Sequence, residues 1–371
     1  MTNRDDLLPV GLEDALPRRA AAITKAMREI LDAMDAHGYD RVRPPLVEFE
    51  QSLAGRMEGV ATRRMVRFTD PESLRTLALR SDITVQVGRI AATGMRGAAR
   101  PLRLCYAGDV ALLKADQLDP ARQRLQLGAE LIGSDSVAAA REAVNLAVEA
   151  LEAAGVSDIS VDFTLPDLVD TLAGDALPLP PDRREAVRRE LDTKDAGGLV
   201  AAGGEAYLPL LYATGPFEEA ARKLKDIDAG GVLATRLDGL REIAAAMPDR
   251  VRLTLDPTER HGFEYQSWFG FTLHANGARN ALGRGGTYAI KGTDEPATGF
   301  SLYIDPILEV LGGAEPGRRR MLFLPLGHDR DNAVHLRGEG WRTVAAITGD
   351  DTPERLGCTH RLGDDGTTEP V

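Results

Sequence analysis

Cysteine is almost missing from this chain, with two thiols, Cys105 and Cys358, in 371 residues. They are too few and too far apart for a disulfide framework or a zinc pattern, so both read as ordinary thiols and no metal is expected. Also missing is any apolar run near the roughly 20 residues that a membrane span needs. The start, Met1 to Asp6, lacks the charged-then-apolar order of a signal peptide. A cytoplasmic protein without a membrane partner is the expectation. Basic charge is short as well. The formal net charge is −12, whereas phosphate-backbone binding draws its affinity from Lys and Arg gathered on one face. Basic clusters do occur at Arg63-Arg64, Arg183-Arg184, Arg188-Arg189 and Arg318-Arg319-Arg320. The pairs between 183 and 189 lie beside Glu185 and Glu190 at helical spacing and read as a solvated helix face. No nucleic-acid partner is expected.

What is present suffices for two or three modules. Apolar residues at Ile23, Met27, Ile30, Leu31 and Met34 predict a helix over Pro17 to Ala36, stopped at His37-Gly38. Tyr39 to Val47 reads as extended and broken by Pro44-Pro45, with a helix from Glu48 to Leu53. Two short strands, Met65–Phe68 and Leu77–Leu79, flank a turn at Asp70–Ser73. A helix follows from Asp82 to Ala92, capped by Ser81 or Asp82. Leu102–Val110 and Arg124–Ile132 read as antiparallel partners, then come a helix over Val137–Ala154 and a strand over Ile159–Leu165. From 166 to 248 the pattern is helical. Strand patterns return at Val251–Leu255, Tyr265–Leu273, Gly283–Ile290 and Thr298–Leu302. Antiparallel strands with segregated helices indicate α+β rather than a parallel doubly wound sheet. After a linker near Gly312–Gly317, a small β-α-β unit is expected at Met321–Pro325, Arg330–Arg337 and Trp341–Ala346, with Gly363 to Val371 frayed.

Three stretches carry chemistry. They are Leu79-Arg80-Ser81-Asp82-Ile83-Thr84 with Gln86 and Arg89; Arg122 to Glu130 running on to Ile132-Gly133; and His261-Gly262-Phe263-Glu264-Tyr265 followed by Gly285-Gly286-Thr287-Tyr288. On a strand, Gln126 and Glu130 point to one face, and Gly128 between them leaves room there for a ligand. Each feature also has a plain reading. Asp82 suits a helix cap, Glu130 an exposed strand carboxylate, and Gly285-Gly286 a turn without the Lys-Ser/Thr of a phosphate loop.

In this order the stretches resemble the histidyl-tRNA synthetase family, whose motifs read roughly L-R-P-E-x-T, R-Q-F-x-Q-x-G-x-E and R-G-L-D-Y-Y…G-G-R-Y-D. The resemblance implies a class II aminoacyl-tRNA synthetase-like antiparallel sheet flanked by helices. The core would be 1–165 and 249–312, with a helical insertion at 166–248 and a shortened anticodon-domain-like α/β unit at 313–371. It also implies a dimer built through Gly38 to Glu48. A histidine-shaped pocket would be lined by Asp82, Thr84, Gln126, Glu130, Tyr265 and Tyr288. A free amino acid buries an ammonium group, which needs carboxylates and oriented acceptors around it. The second family tyrosine is Gln266 here, making one wall polar.

Adenylate formation builds negative charge on the α-phosphate, which fixed arginines stabilise best. At the positions where the family supplies them, this chain has Leu112, His261 (with Arg260 one residue away) and Pro306, and Lys114 in place of a glutamate. Leucine and proline cannot grip a phosphate, so no catalytic residue and no cofactor are expected. A kept amino-acid pocket with lost activation chemistry resembles the ATP phosphoribosyltransferase regulatory subunit family. That family implies a short-form catalytic subunit as partner, self-association, and L-histidine as effector of the first step of histidine biosynthesis. The alternatives are a synthetase paralogue acting as an amino-acid sensor or ligase with another partner, and a working histidyl-tRNA synthetase.

Overall fold

The computed structural model describes residues 7–54, 65–113, 120–174, 176–228, 230–260, 266–293, 295–312 and 320–371. The chain falls into two compact units, 1–313 and 314–371. In the large unit the strands are β1 (Asp40–Arg41), β2 (Val47–Phe49), β3 (Arg67–Thr69), β4 (Thr76–Leu79), β5 (Leu102–Ala111) and β6 (Gln123–Ile132). They continue with β7 (Ile159–Thr164), β8 (Gly215–Pro216), β9 (Arg252–Leu255), β10 (Gln266–Ala275), β11 (Gly283–Ile290) and β12 (Glu295–Tyr303). Nine of them form one sheet in the order β1-β5-β6-β12-β11-β10-β7-β9-β8, and β2, β4 and β3 form a small one. The large sheet is antiparallel from β5 through β7, and parallel only where β1 joins β5 and β9 joins β7.

Alternation decides what each face of this sheet does, because successive side chains on a strand point to opposite sides. Leu127 and Ala129 on β6, Phe300 and Leu302 on β12, Phe271 and Leu273 on β10, and Val161 and Phe163 on β7 all enter one hydrophobic core. The helices Pro17–Ala36, Val137–Ala153 and Ile304–Val310 bury their apolar stripes against it. Ser136 caps the second of these, its hydroxyl accepting from the amide of Ala139 at 3.2 Å. The intervening residues Gln126, Gly128 and Glu130 face the other way, toward a smaller cluster that includes Ile83, Val87, Tyr106 and Tyr288.

The segment 166–248 is mainly helical, but it also lends β8 to the sheet edge, pairing with β9. It does not stand apart. Val187, Leu199, Tyr207, Leu224 and Leu240 belong to the same core as the sheet, and Phe217 meets Phe163 edge-on at 5.7 Å. Its basic helix Pro181–Asp192 carries local ion pairs, Arg188 with Glu185 and Asp170 and Arg189 with Glu190. The helix expected from Glu48 begins at Glu50, since Val47–Phe49 pairs with β4.

In the small unit β13 (Met321–Leu324), β14 (Arg342–Ala345), β15 (His360–Leu362) and β16 (Thr368–Pro370) run in the order β14-β13-β15-β16. The helix Arg330–Gly338 contributes Ala333 and Leu336 to a core with Leu322, Leu324 and Leu362. The expectation of a frayed end is corrected here. β16 pairs antiparallel with β15 through a turn in which Thr367 bonds the Asp365 carboxylate, so the ladder satisfies backbone groups that the sequence pattern left unassigned. No helix among the described residues is long and apolar enough to cross a membrane.

Candidate functional site

The strand registers set Glu130 opposite Gly299 and Gly299 opposite Gly286, and in the next row Gly128 opposite Ser301 and Ser301 opposite Arg284. These residues share the face that carries no helices of the main core. A Cβ at Gly299 would run into the Glu130 carboxylate, so a glycine there is what lets the carboxylate lie flat on the sheet.

Glu130 is 1% exposed. Tyr288 donates to its Oε2 at 2.8 Å and Tyr106 to its Oε1 at 3.3 Å. The Tyr106 hydroxyl also meets Thr84 Oγ1 and Ser301 Oγ, each at 3.0 Å. Gln126 extends the network, donating to Ser301 Oγ at 2.7 Å and to Asp82 Oδ1 at 3.1 Å while its Oε1 accepts from the Ile83 amide at 3.0 Å. Burial pushes the Glu130 carboxyl up to about 8, and the Asp82 charge adds to that. The hydroxyl donors of Tyr288, Thr84 and Tyr106 pull the other way and lose. Burial also raises Asp82 against the bonds it receives from Gln126 and Thr84. Burial thus favours the protonated form of Glu130 at neutral pH.

Asp82, Thr84, Gln126, Glu130 and Tyr288 are thus brought together by the fold. The helix begins at Thr84, two residues later than expected, and Asp82 accepts from the Thr84 amide at 2.8 Å, so it serves both the turn and the cluster. The room expected over Gly128 is corrected: the Tyr106 ring fills it, close enough that a Cβ at 128 would clash. The remaining cavity, bounded by Thr84, Glu130, Gln266, Arg284, Tyr288 and Ser301 among others, measures about 20 Å³, space for one water molecule. His261, Tyr265 and Lys114 lie outside the described residues. Leu112 closes the β5–β6 hairpin, its amide donating to the Arg122 carbonyl at 2.8 Å. Pro306 sits in the first turn of the helix Ile304–Val310, where its missing N–H is tolerated. Arg260 donates to Glu185 at 3.4 Å, and its amide donates to Asp192 at 2.8 Å.

Other residues of the first motif brace the fold. Arg80, 6% exposed, donates to the carbonyls of Asp109 at 2.7 Å and Pro44 at 2.9 Å. Gln86 donates to the carbonyl of Pro45 and to Glu48, and Arg89 forks onto the two oxygens of Glu48 at 3.1 and 2.5 Å. Sequence reasoning missed Tyr106 and Ser301 as cluster members and Arg284 as a wall. The signal available was period two: Tyr106 faces Gly128 across the β5–β6 ladder, and Ser301 follows Gly299 by two. Among the described residues no group of three or more His, Cys, Asp or Glu side chains is placed to hold a metal.

Comparison with known proteins places this geometry. The family model described as histidyl-tRNA synthetase matches residues 11–307. A protein of Rhodospirillum centenum named ATP phosphoribosyltransferase regulatory subunit is 41% identical, over 95% of this chain and 94% of its own. One of the same name from Gluconobacter oxydans is 34% identical over 98% of this chain and 97% of its own. Among solved structures, an ATP phosphoribosyltransferase regulatory subunit/histidyl-tRNA synthetase from Bacillus halodurans superposes with a TM-score of 0.81 at 23% identity, covering 96% of this chain and 97% of that one. Histidyl-tRNA synthetase from Nostoc gives 0.75 at 14% identity, covering 97% and 92%. At these identities the two structures speak for the class II synthetase-like fold alone.

Proposed function

The chain belongs to the ATP phosphoribosyltransferase regulatory subunit family, non-catalytic relatives of histidyl-tRNA synthetase in histidine biosynthesis, and from that premise we propose that it switches on a short-form catalytic subunit and carries histidine feedback to it through the Glu130 cluster. The observation that carries this reading is a contrast between the Glu130 cluster and two uncharged positions outside the strands. The residues expected around a ligand's ammonium group form a buried hydrogen-bonded network about Glu130, while at two positions where the family resemblance expects phosphate-binding arginines the chain has the uncharged Leu112 and Pro306. A site built this way binds an amino acid and does not activate it. The subunit works as a self-associated dimer joined to its catalytic partner, in the cytoplasm.

A reconstitution assay tests the proposal. The catalytic subunit is assayed for phosphoribosyl transfer alone and with this protein, and then titrated with L-histidine. Activity should require the mixture and fall with histidine. The Glu130→Ala variant should need a histidine concentration on the order of tenfold higher, as expected for losing a charge-assisted hydrogen bond. Equal activity without this protein refutes the switching role, and unchanged inhibition in Glu130→Ala moves the histidine site elsewhere. Pyrophosphate exchange with ATP dependent on histidine would instead favour a working synthetase.

A further inference from the structure

The small unit has an open cleft of about 730 Å³ lined by Arg320, Arg337, Gly340, Trp341 and Arg342. It lies where the helix Arg330–Gly338 ends and where β13 and β14 begin. Its three guanidinium groups meet in a chain whose formal net charge is −12. The ion pairs of the small unit among the described residues are His335 with Glu339, Arg355 with Asp351 and Arg361 with Glu369, and they leave all three out. Arg337 Nε donates to Thr343 Oγ1 at 2.7 Å, and the Arg320 guanidinium lies 5.8 Å from the centre of the Trp341 ring. The Arg342 side chain is exposed.

β14 borders this cleft and ends its sheet, with β13 as its neighbour on the inner side. The amides of Arg342 and Ala346 donate inward, to the carbonyls of Arg320 and Leu324. Backbone groups alternate sides along a strand, so those of Thr343 and Ala345 point outward, where no strand among the described residues meets them. In the register Thr343 stands beside Leu322 and Ala345 beside Leu324, the two leucines that pack on the helix. The side chains of Arg342 and Val344 therefore face the opposite side. The edge carries a cation on each face, Arg337 held by Thr343 on the helix side and Arg342 on the other.

We propose that the outer edge of β14 takes an extended acidic segment of a partner protein as an added strand, its carboxylates on Arg337 and Arg342 and its backbone on Thr343 and Ala345. Main-chain bonds to the edge supply affinity and the two arginines supply selection. Charge on an edge strand also keeps ordinary edges away, and a cationic edge does so while admitting an acidic one. A second copy pairing through β14 would gather the arginines of both chains along one seam, which like-charge repulsion disfavours. A free phosphate compound would use the guanidinium groups but leave the outward backbone of β14 unmet. The proposal does not depend on the amino-acid reading of the Glu130 cluster.

Fluorescence anisotropy on the full chain tests this with a labelled peptide, Glu-Glu-Val-Thr-Val-Glu-Glu, blocked at both ends and palindromic so that it serves either strand direction. The peptide should bind, and its counterpart with Lys in place of Glu should not. N-methylation of its Val-Thr-Val amides removes strand donors on both of its edges at unchanged charge, and should weaken binding about tenfold or more. Arg337→Glu combined with Arg342→Glu should also weaken it about tenfold or more. Arg342→Glu alone, which leaves the Arg337–Thr343 bond in place, should lose part of that, with thermal melts matching the wild type. No binding of the acidic peptide by the wild type, or equal binding by the wild type and Arg342→Glu, would overturn the proposal. Equal binding of the N-methylated peptide would overturn strand addition. Inorganic triphosphate bound where the peptide is not would assign the cleft to a phosphate ligand and overturn the peptide reading as well.

Discussion

Replacing Glu130 with Gln should stabilise this protein, and increasingly so as the pH rises. The carboxyl is enclosed by Tyr106, Tyr288, Gly299 and Ser301 with 1% exposure, and burial lifts it from an ordinary 4.5 to about 8. An acid raised in the folded state binds more protons there than in the unfolded chain at every pH between those two values. Unfolding stability therefore falls with rising pH across that span, by about 1.4 kcal/mol per pH unit, or on the order of 5 kcal/mol in all. Below pH 4.5 the group is protonated in both states and contributes no such slope. Glutamine is close in shape to the protonated acid. Its carbonyl can accept from Tyr288 and its amide can donate to the Tyr106 oxygen, so the network survives. Urea unfolding of both proteins at pH 5 and pH 8 measures the difference. The variant should lie within about 1 kcal/mol of the wild type at pH 5 and exceed it by several kcal/mol at pH 8. A gap that stays constant with pH would show that Glu130 is ionised in the fold and refute the burial argument.

Gly299→Ala should destabilise by about 3 kcal/mol or more, because the new methyl meets the Glu130 carboxylate and the Ala129 carbonyl. Combining it with Glu130→Ala should recover part of that loss in a thermal-melt cycle, and purely additive losses would contradict the contact. Arg80→Met leaves the Asp109 and Pro44 carbonyls without their donor and should cost about 3 kcal/mol in urea unfolding; a change below about 0.5 would deny the bracing role. Cys105 is buried with its thiol pushed up to about 11, so iodoacetamide at pH 8 should label it far more slowly in the native protein than in denaturant. Comparable rates, followed by peptide mass spectrometry, would place that thiol at the surface.

Local pattern was enough for much of this molecule. The first helix was legible in full because its 3.6-residue apolar stripe and its Pro17 and Gly38 boundaries all belong to neighbouring residues. The antiparallel α+β class and the shared face of Gln126 and Glu130 followed in the same way from the two-residue period of a strand. Three features depended on which strands became neighbours. The ring of Tyr106 fills the space over Gly128 only because β5 and β6 pair in that register, and the carboxylate of Glu130 lies flat only because β12 presents Gly299 to it. β16 is ordered because β15 lies where its hydrogen bonds can be met. The chemical character of the cluster belongs to the same class. Whether Glu130 is an exposed carboxylate or a protonated buried one is a matter of solvent access, and that was set by residues more than a hundred positions away in the chain, Tyr288 and Ser301, which no local pattern ties to it.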